Sequence, residues 1–406
     1  MGAIYLYIRM IKMMNNNFFY NIKIEQKKKI IAHISFPQGN GMIGGVDTHI
    51  LDILSNNNLS NNYNYLLIIW NENDDYLEII KRKKINYIYL GKIKNNIKKL
   101  KSLLNFLKQY NISIIHSHQY QSDFLAVIIK FIYLLKNRKI KLIMTCHGWI
   151  KNTIKDKILY LLNIFAYFFS DIIIFVSKKE YYKFKQFKLL NNKYIQYMPN
   201  SVMLPKERKN YIKHFSKYRI LYIGRLEEEK RVDLFIECAY LLHKKYSNLK
   251  FNIVGYGSEY KNLKKLVKNY NMENDIKFLK TVLNVKKVYM NNDIILLTSD
   301  TEGTPRVILE AMSYGLIPVC TNVGGIPDII INNVNGFLAQ KGDVDSIRKT
   351  IEHVLLLKDI NTISTNARKT IINKFNSEKM ILKLNAIYRK MVSYEKENIN
   401  SITSFR

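Results

Sequence analysis

The stretch Asp300-Thr301-Glu302-Gly303-Thr304-Pro305-Arg306-Val307-Ile308-Leu309-Glu310 carries the residue types most suited to chemistry. Pro305 fits the first turn of a helix and the apolar run after it is helix-prone, so the backbone around Thr304, Pro305, Arg306 and Val307 forms an anion site at a helix start. Glu302 precedes that helix and Glu310 falls one to two turns inside it. Carboxylates so placed reach different parts of one elongated ligand instead of sharing a proton. The plain alternative is a pair of solvated acids favoured by the helix dipole. Upstream, Gly224-Arg225 and Lys230 follow a strand-like run. A guanidinium and an ammonium there can neutralise a diphosphate, the first through forked hydrogen bonds and the second as a point charge. Gly255-Tyr256-Gly257 and Gly324-Gly325 close two further strands.

A second set lies nearer the N-terminus. Gly39-Asn40-Gly41-Met42-Ile43-Gly44-Gly45 matches the dinucleotide fingerprint, in which glycines let a backbone approach a pyrophosphate. That fingerprint wants an acid about twenty positions on, and Glu72 comes later. An NAD(P)-dependent oxidoreductase is therefore the alternative reading. His116, His118 and His147 end two strands and are better candidates than His33, His214, His243 or His353, with His147 favoured because Gly148 follows it. A metal site needs a third and fourth ligand with supporting partners, and the sequence makes none evident. Asp343-Val344-Asp345 has metal-motif spacing, but it precedes a helical pattern over 347–357 and reads as a helix cap.

These residues need elements to hold them. β-branched runs at 30–36, 65–70, 85–90, 112–116, 141–146 and 172–176 alternate with helix-period segments, among them the one carrying Ile93, Ile97, Leu100, Leu104 and Leu107. The pattern pauses over 198–210, which carries Pro199 and Pro205, and resumes at 219–223, 251–254, 276–279, 294–298 and 317–321. Such alternation predicts an α/β protein of two Rossmann-like, doubly wound parallel-sheet domains, with ligands at strand carboxyl ends in a cleft. The expected division is an N-terminal extension (1–29), a first Rossmann-like domain (30–204), a second Rossmann-like domain (205–375) and a C-terminal helix and tail (376–406).

The 406-residue chain has 48% hydrophobic and 24% charged residues, an ordinary globular balance that excludes a disordered or fibrous protein. Its 64 Lys and Arg against 32 Asp and Glu leave a net charge of +32. Most of that excess matches a general bias to Lys, Asn, Ile and Tyr, as AT-rich coding would give. A basic nucleic-acid-binding protein is a further alternative, but no helix-turn-helix, RNP or zinc-finger pattern accompanies the charge. Cys146, Cys238 and Cys320 are far apart and fit a reducing, cytosolic compartment. The apolar stretch 158–176 is broken by Asn163, Ser170 and Asp171 and reads as a helix (158–169) then a strand (172–176), not a membrane span. Lys92, Lys94, Lys98, Lys99 and Lys101 on one helix, and the lysines interleaved with Tyr181, Phe184 and Phe187 over 178–188, predict peripheral contact with an anionic inner-membrane surface.

The ordered motifs, Gly44-Gly45-Val46, His147, Pro199-Asn200, Gly224-Arg225 with Lys230, Gly255-Tyr256-Gly257, and two glutamates with seven residues between them, resemble family 4 (group 1) glycosyltransferases of the GT-B superfamily over about 30–394. The resemblance implies a retaining, metal-independent transfer from a UDP- or GDP-sugar donor to a glycan or lipid-linked acceptor, in cell-surface polysaccharide or glycolipid synthesis. No permanently bound cofactor and no nucleic acid is implied. Carried over by position, Arg225 and Lys230 hold the diphosphate, Glu310 the ribose hydroxyls and Glu302 the donor sugar. Gly44 and Gly45 approach the phosphates, Gly255 and Gly257 belong to the donor loops, Val282 lies by the base, and His147 is near the reacting carbon. Asp47 stands where many members carry Glu.

Overall fold

A computed structural model of the chain describes residues 19–23, 25, 28–37, 43–55, 63–110, 112–148, 153–186, 194–207, 218–279 and 285–403. It divides into two units, residues 1–198 with 377–406, and residues 199–376. The division falls at Met198/Pro199, upstream of Pro205, and the C-terminal segment belongs to the first unit.

The first unit holds an eight-stranded sheet of β1 (Phe19–Asn21), β2 (Lys29–Ser35), β3 (Tyr63–Ile69), β4 (Tyr87–Tyr89), β5 (Ile112–Ser117), β6 (Lys141–Cys146), β7 (Ile172–Phe175) and β8 (Tyr194–Tyr197). The order is β1-β4-β3-β2-β5-β6-β7-β8. All pairs are parallel except β1 on β4. The strands are near-continuous apolar runs because helices cover both faces. Those helices are α1 (Gly45–Ser55), α2 (Asp74–Arg82), α3 (Asn96–Leu107), α4 (Tyr120–Leu134), α5 (Ile154–Tyr167) and α6 (Lys178–Lys185).

The second unit holds β9 (Arg219–Ile223), β10 (Lys250–Val254), β11 (Ile276–Leu279), β12 (Ile294–Leu297), β13 (Ile317–Thr321) and β14 (Phe337–Ala339), in the order β11-β10-β9-β12-β13-β14. Its helices are α7 (Val232–His243), α8 (Tyr260–Asn269), α9 (Val285–Met290), α10 (Arg306–Tyr314), α11 (Val344–Leu355) and α12 (Ile360–Lys374). The last helix, α13 (Ser377–Thr403), returns to the first unit, where Met380, Leu384 and Tyr388 join Ile31, Leu67 and Ile114 in one core.

In each unit the strand order reverses beside the first parallel strand, between β2 and β5 and between β9 and β12. This is the switch-point topology of doubly wound sheets, which puts ligands at the carboxyl ends of those strands.

Several expectations need correction. The segment 1–29 is more than an extension, since Phe19–Asn21 adds an antiparallel edge strand and Lys29 opens β2. Three residues within a Lys- and Asn-rich stretch carry no usable alternation. Lys99 does not decorate a polar helix face. It is buried, with its Nζ donating to Trp70 O at 2.7 Å and its pKa lowered by desolvation. Ile93 precedes α3, which starts only after Asn95 caps the amides of Ile97 and Lys98. The cap expected at Asp343 is present: it accepts from Ser346 N at 2.9 Å at the start of α11, and Arg348 holds Asp345. The three cysteines are buried thiols. No helix of the described residues is long and apolar enough to cross a membrane.

Candidate functional site

At the β9–β12 switch point the second unit gathers charge. The chain leaves β9 through Gly224-Arg225, makes a short turn at Glu228–Lys230 and enters α7 after Arg231, whose φ of 48° is left-handed. Asp233 and Asp300 hold the Arg231 guanidinium, and a non-glycine residue held in that conformation marks a tightly determined loop. Beside it Lys230 Nζ lies 2.8 Å from Glu302 Oε1, which also accepts from Ser299 Oγ at 2.7 Å. Both side chains are largely buried, at 17 and 11% exposure. Arg225 is more open and pairs with Glu229 at 2.8 Å. Thr298 Oγ1 donates to the carbonyls of Lys230 and Arg231, and Asp300 N to Glu229 O, so the β12 loop is sewn to the β9 loop.

The glycines explain how these loops come so close. Gly324 sits at φ 55°, and a Cβ there would lie 1.7 Å from Glu302 O. Gly255, at φ 154°, would place a Cβ 1.9 Å from Gly224 O, and Gly257 would place one 2.2 Å from Leu226 O. Gly255 and Gly257 therefore turn their bare faces to the β9 loop, where backbone occupies the space a side chain would need.

α10 starts at Arg306 behind Pro305. Glu310 Oε2 accepts from Tyr289 OH at 2.8 Å, and Glu310 Oε1 stands 3.6 Å from Arg306 Nη2. Arg306, placed with the donor residues by sequence, is buried and its Nη1 donates to Ser201 O at 2.6 Å. Asn200 Nδ2 likewise donates to Thr304 O at 3.0 Å. The guanidinium thus ties the Pro199–Ser201 segment to the helix start. Val307 packs partly buried on the core. Val282, Gly39 and Gly41 lie outside the described residues.

The first unit assembles a different site at its own switch point. Parallel register sets His33 of β2 opposite His116 of β5. His33 Nδ1 is 2.9 Å from His118 Nε2, and the rings of His116 and His118 stack at 4.2 Å. His116 contacts Tyr388 OH of α13 and Thr145 Oγ1 of β6, both at 2.7 Å. His49 of α1 and half-buried His147 adjoin, their ring centroids 4.8 Å apart. Burial lowers the pKa of His33 to about 3, and burial with neighbouring imidazoles pushes His116 and His118 well below the usual range. These three rings are neutral at pH 7.

His33 was passed over in the sequence although it belongs to this cluster, and His49 was not singled out. The signals that find them are the β2–β5 register and the position of His49 one turn into the helix that follows Gly44. The expectation that no third ligand is at hand is likewise corrected: His33, His116 and His118, and His49, His118 and His147, each bring ligand atoms within 4.8 Å of one another. Neutral imidazoles suit zinc, but in the first group His116 uses both ring nitrogens on hydroxyls and His33 and His118 bind each other.

Gly44 precedes α1, and Thr48 Oγ1 donates to its carbonyl at 3.0 Å. Among the described residues, a Cβ at Gly44 would meet Asp47 Oδ2 alone, at 3.4 Å. Asp47 is buried and accepts from Ser35 Oγ at 2.7 Å, and desolvation raises its pKa. Glu72, the acid weighed for a dinucleotide ribose, is instead an ion-pair partner of Lys92.

Residues 43–204 match the model for Glycosyltransferase Family 4, and residues 205–370 the model for Glycosyl transferases group 1. An uncharacterized glycosyltransferase of Haemophilus influenzae is 28% identical over 48% of this chain and 55% of its own length. The Escherichia coli UDP-Gal:alpha-D-GlcNAc-diphosphoundecaprenol alpha-1,3-galactosyltransferase is 28% identical over 73% of this chain and 80% of its own. This chain spans about half the length of some curated relatives it matches. Anabaena HepE, crystallised with UDP-glucose, superposes with a TM-score of 0.76 at 16% identity, covering 89% of this chain and 99% of that one, which shows the GT-B fold. On its two matched halves and its fold, the chain belongs to the family 4, group 1 glycosyltransferases.

Proposed function

We propose that the protein transfers a sugar, with retention, from a nucleoside-diphosphate sugar to a hydroxyl of a glycan or lipid-linked acceptor, in the synthesis of a cell-surface polysaccharide or glycolipid. The observation that carries this reading is the placement of Arg225, Lys230 and Glu302 at the β9–β12 switch point together with the leading end of α10. In this reading Arg225 and Lys230 take the diphosphate, exchanging part of their contact with Glu229 and Glu302 for phosphate oxygens. Glu310, steadied by Tyr289, receives the ribose hydroxyls, and Glu302 the sugar.

As the glycosidic bond breaks, negative charge grows on the leaving diphosphate. Cations already fixed there stabilise it with little reorganisation, so the chain itself supplies the electrophilic help. The leaving phosphate, on the same face as the incoming hydroxyl, accepts its proton. His147, with Gly44 and Gly45, serves the sugar and phosphates from the first unit. Two carboxylates acting as nucleophile and acid, as in retaining glycosidases, would leave these cations without a role. Support for the donor comes from the neighbour bound to UDP-glucose, and for a lipid-linked acceptor from the name of the Escherichia coli relative.

The test is a panel of UDP- and GDP-sugars offered with lipid-diphosphate saccharides, reading nucleoside diphosphate release and product anomeric configuration. Transfer with the donor's configuration, lost in Glu310→Ala and Lys230→Ala, is expected. Tight NADH binding with no turnover of any nucleotide sugar would point to an oxidoreductase instead.

A further inference from the structure

Two neighbouring helices of the first unit carry an apolar face that no described residue of the unit covers. On α5, Ile154, Ile158, Leu161, Leu162 and Phe165 recur at the spacing of one helical stripe and are 47–77% exposed. Around the end of α4, Phe131, Leu134 and Leu135 are 51–79% exposed. Phe169 joins the two stripes, its ring centroid 6.1 Å from Phe131 and 5.4 Å from Phe165. Folding does not need these side chains, because Ile129 and Tyr133 of α4 and Tyr160 and Tyr167 of α5 already fill the core. Scattered exposed leucines are ordinary, but a stripe continuous across two helices is not.

Charge says what covers it. Exposed Lys136, Arg138 and Lys139 follow α4, and exposed Lys157 stands on α5. α6 brings exposed Lys178, Lys179 and Lys185, and Lys183 Nζ bonds Tyr160 OH at 2.8 Å, which sets α6 beside α5. The nearby acids are engaged or half-buried: Asp156 closes a capping box with Thr153, Asp171 pairs with Lys130 and Lys141, and Glu180 lies in the first turn of α6. A second copy of the chain would set these cations against their own kind. An anionic bilayer answers the apolar stripe and the cationic rim together.

We propose that the α4–α5 face rests on an anionic lipid bilayer, with Phe131, Leu161 and Phe165 entering the headgroup–acyl boundary and the flanking lysines meeting anionic headgroups. The surface expected on α3 is replaced, since Lys99 is buried and Lys92 is held by Glu72 and Asp74; only the α6 lysines are kept. This inference stands apart from the sugar-transfer reading, because neither its residues nor its test involve the donor site.

Co-sedimentation of the full chain with vesicles of phosphatidylcholine alone, and of equal parts phosphatidylcholine and phosphatidylglycerol, tests it. The chain should pellet with the anionic vesicles at low salt and less with the neutral ones. Leu161→Glu with Phe165→Glu should cut that binding about tenfold or more at unchanged thermal midpoint, since both side chains are exposed. Lys136→Glu with Lys139→Glu, at two exposed positions, should weaken binding at low salt and change it little at high salt. Wild-type protein left in the supernatant with anionic vesicles would overturn the proposal. So would apolar and charge variants that both bind like wild type, or a wild-type dimer that the Glu substitutions split into monomers.

Discussion

The carboxyl ends of β9 and β12 and those of β2 and β5 occupy the same place in two copies of one topology, yet they collect opposite chemistry. At the first pair lie Arg225, Lys230, Glu229 and Glu302, joined in ion pairs. At the second lie neutral imidazoles, joined to hydroxyls and to each other. The lesson concerns solvation. A charged site is kept ionised by an opposite charge close by, so its residues sit in short loops sewn to one another. A neutral polar site is kept by burial, so its residues can come from β2, β5, β6, α1 and α13, far apart in sequence.

Steric demand separates the two sites most sharply. Gly324→Ala forces a Cβ onto Glu302 O and should cost about 3 kcal/mol or more, visible as loss of the second unit's unfolding transition in urea. Gly44→Ala, which meets Asp47 alone among the described residues, should change stability by about 0.5 kcal/mol or less while lowering transfer. Equal stability losses would erase the contrast.

Next in size is the ion pair. Lys230→Ala leaves Glu302 without its cation in a site that water hardly reaches, and kcat/KM for nucleotide-sugar turnover should fall about 10²- to 10³-fold. Lys230→Arg keeps the charge but not its shape, and should recover part of the activity.

The first unit's stability should respond to pH through its buried histidines. His33, His116 and His118 have pKa values depressed in the folded chain, so below about pH 6.5 the unfolded chain binds more protons and stability falls with acidification. Each histidine contributes up to ~1.4 kcal/mol per pH unit in that window. Asp123, raised to about 7, and Asp47, also raised, act in the opposite direction and offset part of it. A thermal midpoint that drops between pH 6.5 and 5.5, by less in His33→Gln, is expected; the same pH profile in wild type and His33→Gln would contradict a buried neutral ring at His33. Smallest is Tyr388→Phe, which removes the hydroxyl on His116 and should cost about 1 kcal/mol in the first unit alone.

How far the sequence could be read follows the same divide. Most parallel strands were legible because buried strands read as apolar runs, and the residues of the ion-paired cluster at β9 and β12 stand out in the sequence because Gly224-Arg225 and Lys230 share one loop and Glu302 opens the next. The partner of the Arg306 guanidinium was not legible, because a loop sequence does not say whether a guanidinium faces solvent or, as here, Ser201 O. Lys99 failed for a similar reason, since Trp70 O lies on another element. His33 and His49 were missed because their role exists only through strand register and helix packing. Phe19–Asn21 is defined by its partner β4, not by its own composition.

The central claim is that Arg225 and Lys230 of the second unit supply most of the hold on the donor's nucleoside diphosphate, while His147 serves the sugar and the reaction. Calorimetric titration of UDP into wild type, Lys230→Ala and His147→Ala, beside a transfer assay on each, tests it most directly. The account predicts UDP affinity reduced about tenfold or more in Lys230→Ala and unchanged in His147→Ala, with transfer lost in both. UDP binding that survives Lys230→Ala but disappears in His147→Ala would contradict it.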